Sequence, residues 1–302
     1  MLIRASRFCT LVAQRRPLLL RSISTPTSAP HAFLRPLLAS TSDAISTEHE
    51  LKGVMCLVLN RPETRNALSV RMVGEMREAI AKLSSTCEPT RLLLLQPSQP
   101  GLFCAGADLR ERRTMSPAAV SSFLDSLRSL LSEIEGLAMP SVAVMDGFAL
   151  GGGAELALGC DLRVGGQNTK IALPETKLGI IPGAGGTQRL THLVGVAKAK
   201  ELVFTGRHID GVEAHRIGLL NIYAQPPSTP FKSSLILARL ILTSAPLALS
   251  AAKSAINAAP YLSLADGLDL ERGIYNGLLD TDDRQEGLRA FAEKRKATFK
   301  GR

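Results

Sequence analysis

The sequence predicts an α/β fold with additional helices at its C-terminal end, on three observations. Short apolar runs (Val54 to Leu59, Leu92 to Leu95, Ser141 to Met145) alternate with stretches of helical period. Beyond Thr187 the pattern is almost wholly helical. A hydrophobic content of 45% over 302 residues suffices for one large core, or a core plus a small appendage. On pattern alone a doubly wound sheet would fit these observations.

Taken in order, the chain opens on residues 1–42, which carry six arginines (Arg4, Arg7, Arg15, Arg16, Arg21, Arg35), no lysine, and no acidic residue before Asp43. Pro17, Pro26, Pro30 and Pro36 interrupt any long helix there, and Ser and Thr are frequent. This is the composition of a mitochondrial transit peptide, expected to be disordered and cleaved. Arg15 and Arg16 break the only candidate apolar core of a secretory signal. Val54 to Leu59 then reads as a strand ending in an Asn60-Arg61-Pro62 turn, and Val73, Met76, Ile80 and Leu83 recur at helical spacing. Leu92 to Leu95 is a buried strand. Ser116 and Pro117 supply a capping serine and a first-turn proline to a helix striped by Val120, Phe123, Leu124, Leu127, Leu131 and Ile134. Ser141 to Met145 reads as a strand, Ala154 to Cys160 as a helix and Asp161 to Val164 as a short strand. Helices are expected over Val196 to Phe204, Val212 to Ile217, Leu235 to Leu242 and Pro246 to Ala258. The Pro226-Pro227-Ser228-Thr229-Pro230 segment reads as an exposed loop.

Composition excludes several classes. The formal charge is +9, and without the six leader arginines it is +3, so net charge gives no reason to expect nucleic acid. No apolar run approaches the ~18 residues that span a bilayer. The five cysteines (Cys9, Cys56, Cys87, Cys104, Cys160) form no metal-binding spacing and read as small buried residues in a reduced compartment. There is no His-Glu-x-x-His, P-loop lysine or G-x-S-x-G element. No metal is expected.

The chemistry concentrates at two glutamates. Glu155 follows Gly151-Gly152-Gly153-Ala154, directly after an apolar run, an order that reads as strand, tight turn, helix. Glu175 precedes a second glycine-rich stretch, Pro182-Gly183-Ala184-Gly185-Gly186. Free N–H groups at such a helix start can face an anion. A carboxylate beside them can move protons on whatever they polarise. Taken singly, a triple glycine is an ordinary tight turn, and a first-turn glutamate merely complements the helix dipole.

Five motifs together resemble the crotonase, or enoyl-CoA hydratase/isomerase, family. They are Leu59-Asn60-Arg61-Pro62 with Asn66-Ala67-Leu68, then Phe103 to Leu109, the two glutamate segments, and Asp282 to Gly287 with Phe291 to Lys296. Roughly 250 residues are covered, about one large domain. The resemblance implies a crotonase-like spiral of ββα units over residues 43–230 and a C-terminal helical trimerisation region over 231–302. It implies catalysis by Glu155, which activates water, and by Glu175, which supplies a proton. It also implies an oxyanion hole from the N–H groups of Ala105 and Gly152, and water positioning by Gly183. Coenzyme A contacts are implied at Arg65, Cys104, Ala107, Asp108, Leu109, Tyr275 and Lys294, with Asp108 equally able to cap the helix starting at Leu109. His192, His208 and His215 match no catalytic position.

The implied activity is hydration of a short or branched 2-enoyl-CoA in mitochondrial fatty-acid or branched-chain amino-acid breakdown. No cofactor is implied, because coenzyme A enters as part of the thioester substrate. A homo-trimer or hexamer in the mitochondrial matrix is also implied. The Asp108 to Ser116 segment is especially like the methylglutaconyl-CoA hydratase branch. Two alternatives accompany it: a 3-methylglutaconyl-CoA hydratase that also binds AU-rich RNA, and an enoyl-CoA isomerase. The helix around Val73 to Leu83 interleaves Arg71, Arg77 and Lys82 with Glu75 and Glu78, which disfavours RNA.

Overall fold

The central strands of the main sheet, Val54–Leu59, Leu92–Pro97 and Ser141–Met145, are apolar at nearly every position because they are buried on both faces. The computed structural model describes residues 29–37, 51–83 and 89–302. The expectations for residues 1–28, and for Cys9, Asp43 and Cys87, lie outside them.

The chain enters as β1 (Ala32–Pro36), antiparallel to β2 (Val54–Leu59), and α1 (Val70–Leu83) follows. Next come β3 (Leu92–Pro97), the short α2 (Leu109–Arg112) and α3 (Pro117–Glu135). Ser116 caps α3 through its side chain and Pro117 takes the first turn, as the sequence predicts. β4 (Ser141–Met145) and β5 (Phe148–Leu150) lead into α4 (Gly152–Leu158). β6 (Leu162–Gly166) and β7 (Lys170–Ala172) lead through a 3-10 turn, Glu175–Leu178, to α5 (Gly186–Val194) and α6 (Val196–Thr205). β8 (Ile209–Asp210), α7 (Gly211–Arg216) and β9 (Ile222–Ala224) complete the body. The chain ends in α8 (Pro230–Leu242), α9 (Pro246–Ala258), α10 (Leu264–Asn276) and α11 (Asp282–Ala292).

The larger sheet has the order β1-β2-β3-β4-β6-β9, parallel throughout except for β1, and the smaller has the order β5-β7-β8. Isolated bridges at Leu68↔Ala107 and Cys104↔Ala149 continue the smaller sheet. Each turn of the chain therefore sends one strand to the large sheet and one short segment to the small one before its helix. This is the ββα spiral, and the doubly wound alternative is excluded. The reason lies in β5, β7 and the two bridges, whose three-residue or single-residue length leaves no period-2 signal in the sequence.

The pleat divides the core. Leu57, Leu59, Leu93, Leu95, Ala143 and Met145 face one side with α1, α3 and α4, while Cys56, Val58, Leu92, Leu94, Val142 and Val144 face the other. That second face is closed by α8, whose Ala238 is fully buried and which packs against β3, β4, β6 and β9. α8 thus belongs to the body, not to the appended region in which residues 231–302 were placed. The chain bends by 105° between α8 and α9.

The leader expectation over residues 1–42 is also corrected in part. Within it, β1 pairs with β2 over five residues, and Ala32 is buried in the core. Glu75 accepts hydrogen bonds from the His31 and Ala32 N–H groups at 2.6 and 3.0 Å, and Arg71 donates to the Ala29 carbonyl at 3.2 Å. Composition hid this strand because its Arg35 and Pro36 sit on an edge, where neither is penalised.

Candidate active site

α4 is a seven-residue helix with every residue buried, and its N-terminus is the centre of the site. Gly151 adopts φ 50°, left-handed backbone that favours glycine, and a Cβ there would lie 2.7 Å from Glu175 Oε1. Gly153 packs so closely that a Cβ would stand 2.2 Å from the Cys104 carbonyl oxygen. The middle glycine, Gly152, is the first helical residue, so its N–H has no partner within the helix.

A second N–H meets it, and it is not the expected one. The Ala105 N–H donates to the Arg65 carbonyl at 3.0 Å and is consumed. Leu68 N–H donates to Gly106 O at 2.7 Å, and Asp108 N–H donates to Leu68 O at 3.0 Å. In strand-like backbone the residue between, Ala107, turns its own N–H to the opposite side. A Cβ on Gly152 would lie 3.7 Å from that nitrogen, and the Ala107 N–H has no acceptor among the described residues. The unpartnered N–H that stands beside Gly152 is therefore that of Ala107, since the Ala105 N–H that the resemblance implies is already bonded. Spacing along the chain did not separate two alanines two residues apart; the pairing of Leu68 does.

Glu155, 3% exposed, lies in the first turn of α4. Its Oε1 accepts from the Ala184 and Gly186 N–H groups, both at 2.8 Å. Burial pushes its carboxyl up, while the Gly186 and Ala184 N–H groups and the charges of Arg189 and Arg128 pull it back, leaving it raised on balance. Glu175 opens the 3-10 turn, and its Oε2 is buried with no hydrogen-bond partner among the described residues. Burial first, and the neighbouring Glu155 charge after it, push its carboxyl up to about 7. Two carboxyls thus share one site, and burial brings the titration of Glu175 into the neutral range. Gly183 sits against α3, where a Cβ would meet Leu124 Cδ2 at 2.9 Å.

The remaining expected contacts divide. Cys104 is fully buried, donates its thiol to the Asn66 carbonyl at 3.0 Å, and bonds β5 through both its N–H and its carbonyl. Burial pushes that thiol up to about 12. The Cys104 thiol, N–H and carbonyl are all engaged within the protein. Asp108 spends one carboxylate oxygen on Arg61 Nη1, at 2.7 Å, and the other on the Arg110 and Glu111 N–H groups that start α2. Burial would raise its carboxyl, but Arg61 and those N–H groups hold it below the usual range. It caps α2, with both carboxylate oxygens engaged within the protein. Ala107 supplies the unpartnered N–H beside Gly152. Leu109 and Arg65 are exposed. Tyr275 on α10 and Lys294 beyond α11 are exposed too, and neither side chain bonds to the site among the described residues. Sequence reasoning missed Arg61 as a tie between the first two motifs, having read it as turn-building only. Among the described residues no group of three His, Cys, Asp or Glu side chains could hold a metal.

Two neighbouring unpartnered N–H groups, close to two carboxyls, suit the polarisation of a thioester oxygen coupled to proton transfer. Residues 49–302 match the family model for enoyl-CoA hydratase/isomerase. The chain belongs to that family. It is similar to a probable enoyl-CoA hydratase 2, mitochondrial, of Arabidopsis thaliana, at 47% identity over 249 residues and 82% of each chain. The methylglutaconyl-CoA hydratase, mitochondrial, of Mus musculus is 42% identical over 267 residues, covering 86% of this chain and 85% of that one. Among solved structures, an enoyl-CoA hydratase from Bacillus anthracis superimposes with a TM-score of 0.80 at 38% identity, over 83% of this chain and 96% of that one. Crotonase-family membership thus accounts for the spiral of ββα units and for the acyl-CoA thioester as substrate class.

Proposed function

We propose that this hydro-lyase adds water across the 2,3 double bond of a short or branched 2-enoyl-CoA in mitochondrial fatty-acid or branched-chain amino-acid breakdown. The carrying observation is the presence of both carboxyls, Glu155 hydrogen-bonded to the 184–186 turn and Glu175 raised to about 7, beside the paired N–H groups. The Ala107 and Gly152 N–H groups take the thioester oxygen and stabilise it as negative charge builds. Glu155 removes a proton from water, held also by the Gly183 N–H, as the water oxygen bonds C3. Glu175 delivers its proton to C2. One water is consumed, and the proton left on Glu155 returns to Glu175 through the next water.

Shifting a double bond needs only one carboxyl that takes and returns the same proton, so having both favours hydration over isomerisation. RNA binding gains no support from α1, where Arg71 pairs with Glu75 and Arg77 pairs with Glu133. Membership of a mitochondrial pathway rests on the names of the relatives and on the leader composition. A homo-trimer or hexamer is supported by apolar side chains left exposed on the last helices, among them Ile256, Leu264, Leu268 and Phe291, the last 87% exposed.

The test is loss of the conjugated enoyl-thioester absorbance with crotonyl-CoA and 3-methylglutaconyl-CoA side by side. Turnover that Glu155→Gln reduces by about 10²-fold or more is expected, and the preferred ester names the pathway. Tight binding of both esters without turnover would overturn the hydratase reading.

A further inference from the structure

The turn that holds Glu155 is itself gripped at two successive peptide oxygens by arginines from different helices. Arg128 of α3 donates its Nε to the Gly183 carbonyl at 2.8 Å. Arg189 of α5 donates Nη1 to the Ala184 carbonyl at 3.1 Å, and its Nη2 reaches Glu135 Oε2 at 2.7 Å. The peptide between Gly183 and Ala184 therefore receives a guanidinium at its oxygen and gives its N–H to Glu155. A peptide unit is planar, so fixing the oxygen fixes the direction of the N–H, and a cation at the oxygen strengthens the bond donated at the other end. Leu124 packs on the same turn at Gly183. The turn is thus held between α3 and α5 by charge as well as by contact.

We propose that Arg128 and Arg189 are positioning residues for the general base: they clamp the 183–186 turn so that its N–H groups keep the Glu155 carboxylate aimed and charged. This rests on the base role assigned to Glu155 above. Neither arginine is assigned a contact with substrate. The charges facing Glu155 are Arg189 from α5, Arg128 from α3 and Glu175 from the 3-10 turn. Behind the arginines stand Glu135, in direct contact with Arg189, and Asp125, 3.9 Å from Arg128. Both arginines oppose the effect of burial on the Glu155 carboxyl. Removing either raises it further, so the carboxylate forms only at higher pH.

Arg128 is the safer site to change, because its side chain is 61% exposed. Arg128→Gln removes the charge, and Arg128→Lys keeps the charge without the planar fork. Glu135→Gln loosens Arg189 without touching the turn. Titration of the Glu155 carboxyl is read directly, as the infrared difference between each protein and its Glu155→Gln counterpart across pH. The hydration rate with crotonyl-CoA is followed in parallel. Arg128→Gln is expected to move the carboxyl midpoint and the acidic limb of kcat to higher pH, and to lower kcat by about tenfold or more, with KM changed less than about twofold. Arg128→Lys is expected to restore the midpoint but not the full kcat. Glu135→Gln is expected to shift both in the same direction and by less. An unmoved midpoint in Arg128→Gln would overturn the clamp, as would a kcat loss that tracks melting temperature alone. Absence of hydration by the unmodified enzyme would instead sink the hydratase reading, while the infrared midpoint still judges the clamp.

Discussion

Stability should fall as pH rises through the window in which Glu175 ionises, and replacing that residue should remove the effect. Its carboxyl titrates near 7 in the folded chain against an ordinary 4.5, with burial as the main cause. The folded state therefore binds more protons than the unfolded state between those values, and stability decreases with rising pH across them. At about 1.36 kcal/mol per pH unit the interval amounts to about 3.4 kcal/mol. The carboxyl is only partly buried, and screening by solvent reduces this to roughly 1–2 kcal/mol. Glu155 is raised as well and contributes in the same direction. Asp108 and Glu75 are depressed, so their contributions are lost below the window, not within it. Denaturant midpoints of the wild type and of Glu175→Gln, measured from about pH 5 to about pH 8, isolate the term. The two curves should converge at the acidic end, with the variant more stable by roughly 1–2 kcal/mol at the alkaline end. Parallel curves over the whole range would refute the assignment of a buried, proton-holding carboxyl at Glu175.

Other outcomes test neighbouring parts of the argument. Gly152→Ala places a Cβ 3.2 Å from Leu68 Cδ1 and 3.7 Å from the Ala107 nitrogen, where the thioester oxygen would sit. Hydration should fall by about 10²-fold or more, with circular dichroism little changed. Cys104→Ala should cost about 1 kcal/mol for the lost hydrogen bond to Asn66, with an unchanged KM; a raised KM would return Cys104 to the coenzyme A site. Removing residues 1–42 strips β1 from β2 and should cost roughly 1 kcal/mol for each main-chain bond lost, read as a fall in the denaturant midpoint.

What the sequence made legible was whatever has length or chemistry. β2, β4 and α9 have the bounds that periodicity predicts, and Ser116 with Pro117 marks the start of α3 to the residue. Both glutamates and the triple glycine were visible because glycine and buried acid are rare together. The small sheet was not legible, since β5 lies within Gly147 to Gly151 and reads as a glycine turn. Nor was the partner N–H of Gly152, because Ala105 and Ala107 differ only in which side of the chain they face, and that is set by Leu68, thirty-seven residues away from the nearer of them. Long-range polar ties (Arg61 to Asp108, Arg128 to Gly183) leave no mark in a local pattern.

The groups assigned to polarise the substrate belong to the main chain, and this separates two kinds of inheritance. A side chain can be replaced by a single codon change; the N–H of Ala107 is kept through any replacement that preserves the path of the backbone, and that of Gly152 is kept too, although a side chain there would crowd the space before it. Leu124 on α3 packs against the Gly183 turn, and Leu68 packs against Gly152. Exchanging such neighbours for side chains of similar volume changes what surrounds the turn while leaving the two main-chain N–H groups in place.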